Sequence, residues 1–335
     1  MRALTKQAAG TGSVGLDERP RRRPAPGQVV LAVRAAGICG TDLHIEAGEY
    51  PSVPPMAMGH EVCGIVAELG EGVDPSLLGR RVVSETFYST CGHCAACRDG
   101  RPNMCAERRS IGTHVDGAFA PWLVVPAHGL HAAPDELSDA AATLAEPLAC
   151  VCNSLFERSR LRAGDEVLVL GPGAIGLLAA QAARAAGCRV HLRGTGRDGA
   201  RLDLARQLGF ETSVTDRPFA GAAPDVVVEC SGSGPAIAEG LRACRRMGSF
   251  VLIGLRGADV TVPFDEICLR ELVVTSGFAS TPAAWRRALR LMHAGALELE
   301  ALISEVVALT DWSRAFAASR DAQGLKFVLD PSGAA

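Results

Sequence analysis

Near its middle the chain reads Glu166-Val167-Leu168-Val169-Leu170-Gly171-Pro172-Gly173-Ala174-Ile175-Gly176, an apolar strand that runs directly into a glycine-rich turn. A continuous apolar strand is typical of a parallel sheet that is buried on both faces. In the spacing G-x-G-x-x-G, the glycines permit a tight turn, close approach to a pyrophosphate, and helix–strand packing. The alternative is a glycine-rich turn without a ligand. The context predicts a dinucleotide-binding turn formed by Gly171, Gly173, Ala174, Ile175 and Gly176.

The residues after this turn continue an alternation of strands and helices. The predicted strands are 166–170, 189–193, 225–230, 249–253 and 271–276, and the predicted helices are 174–186, 200–208 and 235–244. Such an alternation is typical of right-handed βαβ units on a parallel sheet. The sequence therefore predicts an α/β, doubly wound domain over residues 154–279.

The first 153 residues have a different pattern, in which short strands alternate with many turns. Strands are predicted at 29–33, 62–69 and 81–85, bounded by proline and glycine. After Pro282 come a helix and then a strand–helix–strand tail that does not simply extend the parallel sheet. We therefore expect residues 280–335 to join the β-rich domain of residues 1–153.

The residues at the end of the second strand of the α/β domain indicate which cofactor, NAD or NADP, is bound. An Asp or Glu at this point usually binds the ribose 2′-hydroxyl of NAD. Here the chain reads Arg193-Gly194-Thr195-Gly196-Arg197-Asp198, in which a glycine leaves room and arginines can pair with a 2′-phosphate. Alternatively, Asp198 folds back to the ribose and the arginines are merely solvated. The pattern favours NADP over NAD, with these residues as the predicted contacts: Arg193, Gly194, Thr195 and Arg197.

Composition limits the possible partners and the compartment. The chain has 335 residues, of which 48% are hydrophobic and 21% charged, as in ordinary globular proteins of two domains. A net charge of −3 gives no reason to expect a nucleic acid or a membrane surface as partner. The start of the sequence lacks the apolar segment of a secretory signal. We expect a cytoplasmic protein in which most of the 12 cysteines are thiols.

Four of the cysteines form a cluster with the spacing C-x2-C-x2-C-x7-C, namely Cys91, Cys94, Cys97 and Cys105. Four thiolates at this spacing can close a tetrahedral shell, which predicts a structural zinc with no open position. The alternatives are two disulfides, which a reducing compartment disfavours, and an iron–sulfur cluster.

A second candidate metal site lies where the chain reads Cys39-Gly40-Thr41-Asp42-Leu43-His44 and then Gly59-His60-Glu61. A thiol, an imidazole and a carboxylate together suit zinc, whose catalytic sites keep one position open. A buried cysteine in a turn with an unrelated His-Glu pair is the alternative. These residues alone leave both interpretations open.

In this order, the motifs resemble those of the zinc-dependent medium-chain dehydrogenases, over nearly the whole chain. The segments Glu146-Pro147-Leu148-Ala149-Cys150 and Gly324-Leu325-Lys326-Phe327-Val328-Leu329 are similar to the polyol (sorbitol and L-iditol) dehydrogenase branch. The resemblance implies a GroES-like β-rich catalytic domain interrupted by a Rossmann domain, two zinc ions per chain, and a homodimer or homotetramer. It also implies that Cys39, His60 and Glu61 bind the catalytic zinc, with Glu146 as fourth ligand or as the residue that holds a metal-bound water.

The expected reaction is the reversible oxidation of a secondary alcohol, most simply a polyol, to a ketone with NAD(P). Thr41 is expected to take the hydroxyl proton and His44 to pass it outward. Their alternative roles are a turn hydroxyl and a loop histidine, and Glu61 has a competing role in polarising His60. Rival substrates are an aminocyclitol of the deoxy-inosamine type and L-threonine. The rival of another class is a cofactor-binding sensor or structural protein without turnover.

Overall fold

The computed structural model describes residues 1–334, which form two units. One, the β-rich unit, consists of Met1–Glu146 and the segment from Leu299 onward, and the other, the α/β unit, is Pro147–Glu298. None of the helices among the described residues has the length and apolarity that crossing a bilayer requires.

Strands and helices are numbered along the chain. The strands are β1 (Arg2–Lys6), β2 (Val14–Glu18), β3 (Gln28–Gly37), β4 (Met56–Ala57), β5 (Glu61–Leu69), β6 (Arg81–Ser84), β7 (Phe87–Ser89), β8 (Arg109–Ser110), β9 (Trp122–Pro126), β10 (Leu130–Ala132), β11 (Glu166–Leu170), β12 (Arg189–Gly194), β13 (Glu211–Val214), β14 (Val226–Glu229), β15 (Ser249–Leu252), β16 (Val273–Ser276), β17 (Ile303–Ala308) and β18 (Lys326–Asp330). The α-helices are α1 (Gly40–Ala47), α2 (Ala95–Arg98), α3 (Asp139–Ala142), α4 (Ala145–Cys152), α5 (Ala174–Ala185), α6 (Gly199–Gln207), α7 (Gly234–Ala243), α8 (Phe264–Leu269), α9 (Pro282–His293) and α10 (Trp312–Arg320). A π-helix, Asn153–Arg158, follows α4, and short 3₁₀ helices occupy Pro75–Leu77, Pro102–Met104, Ala127–Gly129, Gly196–Asp198, Glu300–Leu302, Leu309–Asp311 and Ser332–Ala334.

The α/β unit is built on a parallel sheet with the strand order β13-β12-β11-β14-β15-β16. Counted from β11, this is the order 3-2-1-4-5-6 of the doubly wound nucleotide-binding fold. The order reverses between β11 and β14, and ligands of such sheets bind outside the carboxyl ends of the strands at that point. The predicted parallel sheet is confirmed.

The α/β unit extends beyond the expected residues 154–279 on both sides. The π-helix Asn153–Arg158 packs on β15 and β16, and α9 packs on the π-helix. Asn153 also donates from its side-chain amide to the carbonyl of Ala279 at 2.9 Å. Because these flanking helices pack on the sheet and on each other, the unit extends beyond the residues in which strands and helices alternate.

The β-rich unit contains a sheet in which β10, β6, β5, β3, β18 and β17 are paired in that order, with β9 also paired to β3. A smaller sheet has the order β2-β1-β4, and β7 pairs with β8. Strand β18 is antiparallel to β3, with Val328 opposite Gly37. The tail of the chain therefore returns to this unit.

Helix α1 lies in a segment whose sequence pattern suggested a loop. Cys39 is its N-cap residue, and the Asp42 carboxylate accepts the Cys39 backbone N–H at 2.9 Å. Gly48 ends the helix in the left-handed conformation, at φ 77°. Thr41 and His44 are therefore carried by a helix, three positions apart and on one face of it.

Candidate active site and metal centres

The catalytic cluster is assembled by the pairing of β3 with β5. Gly37 lies opposite Glu61, so Cys39, just beyond the end of β3, comes next to His60 and Glu61 at the start of β5. One ligand atom from each of Cys39, His60 and Glu61 lies within 4.8 Å of the other two. Two ligands of one zinc lie no more than about 4.6 Å apart, given bond lengths of about 2.0–2.3 Å. The donor set and its spacing therefore fit a single zinc ion.

His60 faces a buried carboxylate, that of Asp42. His60 Nδ1 lies 3.7 Å from Asp42 Oδ1, and both atoms are buried without a hydrogen-bond partner among the described residues. Burial lowers the pKa of His60, but the nearby Asp42 and Cys39 outweigh it and raise that pKa well above the usual value. A metal-ligating histidine commonly has such a carboxylate at its other nitrogen. No role was predicted for Asp42, although its place three residues after the helix N-cap is a usable signal.

Glu61 has a cationic partner as well as a place in the cluster. Lys326 Nζ donates to both carboxylate oxygens of Glu61 at 2.8 Å, and to the carbonyl of Ile38 at 2.9 Å. Glu61 is 0% exposed and Lys326 4% exposed. A Cβ at Gly37 would lie 2.1 Å from Glu61 Oε2, so only glycine leaves room for this carboxylate. The geometry is compatible with both predicted roles of Glu61, direct ligation and support of the site.

Thr41 and His44 lie on α1, the helix that Cys39 caps. His44 Nδ1 lies 2.7 Å from Glu49 Oε2, and the side chains of His44 and Glu49 are 29% and 53% exposed. Thr41 is half-buried on the same helix face. Glu49, for which no part in proton transfer was predicted, thus lies in contact with His44.

The four-cysteine lobe brings its sulfur atoms together. The Sγ atoms of Cys91, Cys94, Cys97 and Cys105 all lie within 4.8 Å of one another. Cys91 Sγ is 3.6 Å from Cys105 Sγ and 4.0 Å from Cys97 Sγ, whereas a disulfide requires about 2.05 Å. Backbone N–H groups of His93 and Cys94 lower the pKa of Cys91 to about 6, which favours its thiolate. The lobe therefore has the geometry of a closed metal site and not of two disulfides.

Each glycine of the nucleotide turn has its own structural reason. Gly171 has φ +96° and closely approaches Ser231. A Cβ at Gly176 would lie 1.9 Å from the carbonyl oxygen of Gly171, so helix α5 packs against the turn through a glycine. Gly173 caps α5, and a Cβ there would meet none of the described atoms within 4 Å. That open side, next to the unpaired N–H groups of Ala174 and Ile175, is suited to a pyrophosphate.

Comparison with known proteins identifies the family. The alcohol dehydrogenase GroES-like domain matches residues 25–135, and the zinc-binding dehydrogenase domain matches residues 174–294. A sorbitol dehydrogenase from Halalkalibacterium halodurans is 35% identical over 99% of both chains, and an L-threonine 3-dehydrogenase from Deinococcus radiodurans is 32% identical over 98% of both. The chain belongs to the zinc-dependent medium-chain dehydrogenases. The predicted enzyme class and its polyol-dehydrogenase-like branch are confirmed.

Solved structures agree with this assignment. A zinc-binding dehydrogenase from Sinorhizobium meliloti 1021 bound to NADP has a TM-score of 0.89 and 32% identity, covering 98% of this chain and 99% of its own. An alcohol dehydrogenase from E. coli CFT073 complexed with NADH has the same TM-score with 25% identity and the same coverage. The medium-chain dehydrogenase thus has the predicted α/β fold, a GroES-like domain and a Rossmann domain, and its family uses zinc and a nicotinamide cofactor.

Glu146 does not join the ligand cluster of this dehydrogenase. It is buried at the start of α4, and its charge helps to raise the pKa values of His60 and Lys326. Among the described residues, however, its carboxylate is absent from the group of ligand atoms within 4.8 Å of one another. This placement suits the predicted role of holding a water better than that of a direct fourth ligand.

The residues predicted to contact a 2′-phosphate in this dehydrogenase do not all line the same cavity. A cavity of about 660 Å³ at the carboxyl ends of the strands is lined by Arg193, Gly194 and Thr195, whereas Arg197 is not among the described residues that line it. Arg193 is 2% exposed and paired with Glu239, so it is not the solvated cation that direct phosphate recognition requires. Asp198 folds back onto Thr195, accepting its backbone N–H at 2.8 Å and its hydroxyl at 2.7 Å.

Substitutions in the glycine turn should separate packing from cofactor binding. Gly176→Ala is expected to weaken nucleotide binding and to destabilise the protein by about 1–3 kcal/mol, because the methyl group meets backbone at 1.9 Å. Gly173→Ala is the matched control, because its methyl group enters open space and should impair nucleotide binding alone. Denaturant unfolding and calorimetric nucleotide titration measure the two effects. An unchanged stability of Gly176→Ala would contradict the packing role of that glycine.

Proposed function

We propose that this dehydrogenase reversibly oxidises a secondary hydroxyl group of a polyol to a ketone, with NADP preferred over NAD. The observation that carries the proposal is the cluster of Cys39, His60 and Glu61, with the buried Asp42 carboxylate facing His60. The similarity to a sorbitol dehydrogenase supports the substrate class. We further propose two zinc ions per chain, one in this cluster and one in the four-cysteine lobe.

The residues of the cluster divide the work between ligation and orientation. Cys39 and His60 would hold the catalytic zinc, with Glu61 as a third ligand and Glu146 near them to hold a water. When bound, zinc supplies Lewis acidity at the substrate oxygen and the nicotinamide supplies the hydride acceptor. Asp42 holds the Cys39 backbone through its 2.9 Å hydrogen bond and faces the ring of His60, so it positions two ligands at once.

The hydroxyl proton has a path along α1. Thr41 Oγ1 would accept it from the substrate, and His44 would receive it on the same helix face. From His44 Nδ1 the contact of 2.7 Å leads to Glu49, which is 53% exposed and delivers the proton to solvent. The chain of residues moves the charge outward without opening the buried cluster.

The rival functions differ in what the site must recognise. L-Threonine carries an ammonium and a carboxylate group, whereas a polyol is neutral and needs only hydrogen-bond partners; the similarity to an L-threonine 3-dehydrogenase keeps this rival in the comparison. An aminocyclitol carries one cation. A non-catalytic sensor would not need the Thr41–His44–Glu49 path beside the metal cluster, which favours an enzyme.

A substrate panel tests the proposal. We expect the highest kcat/KM with a polyol such as sorbitol or L-iditol and with NADP⁺ as acceptor, and lower values with an aminocyclitol and with L-threonine. Initial rates of nicotinamide reduction measure this directly, with each substrate assayed against both NADP⁺ and NAD⁺. A higher kcat/KM for L-threonine than for every polyol would overturn the substrate class.

We also propose that the enzyme works in the cytoplasm as a homodimer or homotetramer. The abundance of free cysteine thiols supports a reducing compartment. Light scattering coupled to size exclusion measures the assembly, and a monomeric mass would contradict it.

A further inference from the structure

Arg193 is the most constrained cation of the cofactor cavity. Its Nε donates to Glu239 at 2.9 Å, its Nη1 to the Ser213 hydroxyl at 3.0 Å, and its Nη2 both to Glu239 and to the Arg217 carbonyl. Resting on the proposed preference for NADP, we infer that Arg217 recognises the 2′-phosphate of that coenzyme. In this inference, Arg193 is a positioning residue that holds the segment carrying Arg217, and Glu239 balances its charge.

The contacts of Arg193 remove it from direct recognition. A guanidinium has five N–H donors, and most of those of Arg193 are already bonded to protein atoms. Its side chain is 2% exposed and its charge is balanced by Glu239, which lies on α7. A buried arginine that is paired and hydrogen-bonded in this way is a structural element, since breaking the pair would leave an uncompensated buried charge.

The segment that Arg193 holds is placed beside the end of β12. The backbone N–H of Thr215 donates to the carbonyl of Gly194 at 2.9 Å, and the Arg193 guanidinium lies 5.9 Å from the ring centre of Phe219. Both ends of the segment Thr215–Phe219 are therefore anchored, while Arg217 itself is exposed and lines the 660 Å³ cavity. Arg217 thus places a cation in the cavity that Gly194 and Thr195 also line, where the sequence pattern located the ribose.

The other charged residues nearby fit this assignment. Arg197 is exposed and is not among the described residues that line the cavity. Arg242 does line the cavity, but it lies on α7 and not in the segment beside the end of β12. Asp216 also lines the cavity, so the same segment offers an acceptor for the ribose 2′-hydroxyl of NAD. Loss of Arg217 should therefore shift the preference toward NAD and leave nucleotide binding itself intact.

The test compares two probes that differ by the 2′-phosphate, namely 2′,5′-ADP and 5′-AMP, by calorimetric titration of the full-length protein. Arg217→Ala should lower the affinity for 2′,5′-ADP by about tenfold, as expected for loss of a charged hydrogen bond, and leave that for 5′-AMP unchanged. Glu239→Gln, which retains an acceptor for Arg193, should raise the affinity for 2′,5′-ADP by about three- to tenfold, because the guanidinium charge is no longer balanced. The matched control is Arg206→Ala, an exposed arginine on α6 that pairs with Asp203.

Three results would overturn the inference. The loss of 2′,5′-ADP affinity could follow Arg197→Ala and not Arg217→Ala, which would return recognition to the turn after β12. Arg217→Ala could weaken both probes equally, which would show a structural effect. Glu239→Gln could leave 2′,5′-ADP binding unchanged or weaken it, which would refute the balancing of Arg193. Wild-type protein that binds 5′-AMP at least as tightly as 2′,5′-ADP would instead refute the proposed preference for NADP, a failure distinguishable from the other three.

Discussion

Cys39→Ser is expected to lower kcat by about a thousandfold or more and to remove one of two zinc ions per chain. A serine hydroxyl is a poor zinc ligand at neutral pH, so the substrate oxygen would lose the Lewis acid that lowers its pKa. Among the described residues, Cys39 is the only cysteine grouped with His60 and Glu61, their ligand atoms lying within 4.8 Å of one another. Steady-state kinetics with a polyol, together with metal analysis of the same preparation, measure both effects.

The matched control is Cys63→Ser. Cys63 lies on β5, two positions beyond Glu61, and is fully buried, and burial raises the pKa of its thiol to about 12. It is outside the cluster, so this substitution should leave the zinc content and kcat close to wild type. Unchanged turnover in Cys39→Ser would end the proposal of zinc catalysis and favour the non-catalytic rival. If wild-type protein itself contained one zinc per chain, the closed four-cysteine site would be the one retained.

The fold of the α/β unit was predictable because its signals are local. The apolar strand, the three glycines and the helix that follows lie within one short stretch, and the structure has β11 and α5 there. Strand β13 and helix α8 of this unit were not predicted. Strand β13 has the sequence Glu-Thr-Ser-Val and is the edge of the sheet, half-exposed, so it lacks the apolar run that marked its neighbours.

The candidate site was predictable only in part. Motifs singled out Cys39, His60 and Glu61, which the fold brings together. Lys326 lies 265 residues from Glu61 and reaches it because β18 pairs with β3, which also pairs with β5. Such a contact depends on sheet topology, which a residue pattern does not encode. Arg193 shows the same limit, since its hydrogen-bond partner Ser213 is its register neighbour on β13, a strand that the pattern did not predict.

A substitution of Lys326, the cationic partner of Glu61, tests how the buried Glu61 carboxylate is stabilised. Lys326→Met is expected to destabilise the zinc-free protein by about 3–5 kcal/mol, because it leaves the buried Glu61 carboxylate without a countercharge. The double substitution Lys326→Met/Glu61→Gln should recover most of that loss, since it removes the unpaired charge as well. Denaturant unfolding of the chelator-treated proteins measures the free energy of unfolding in each case.

The pH dependence of the Lys326 effect has a defined sign. Burial lowers the pKa of Lys326, but Glu61 and Cys39 outweigh it, and the pKa is raised above its ordinary value of 10.5. The ion pair therefore contributes fully below that ordinary value and is lost only as the pH rises through the higher one. Between pH 7 and 9 the difference in stability between wild type and Lys326→Met should be constant.

The stability loss of Lys326→Met, compared with and without zinc, distinguishes the two predicted roles of Glu61. If Glu61 is a ligand, the metal replaces Lys326 as its countercharge, so Lys326→Met should cost much less stability in the zinc-loaded protein than in the zinc-free protein. If Glu61 only supports the site from its pair with Lys326, the loss should be the same with and without zinc. Because Cys39 and His60 remain in both states, the comparison isolates the carboxylate. We expect the smaller loss in the zinc-loaded protein, since the ligand atoms of Glu61, Cys39 and His60 already lie within 4.8 Å of one another.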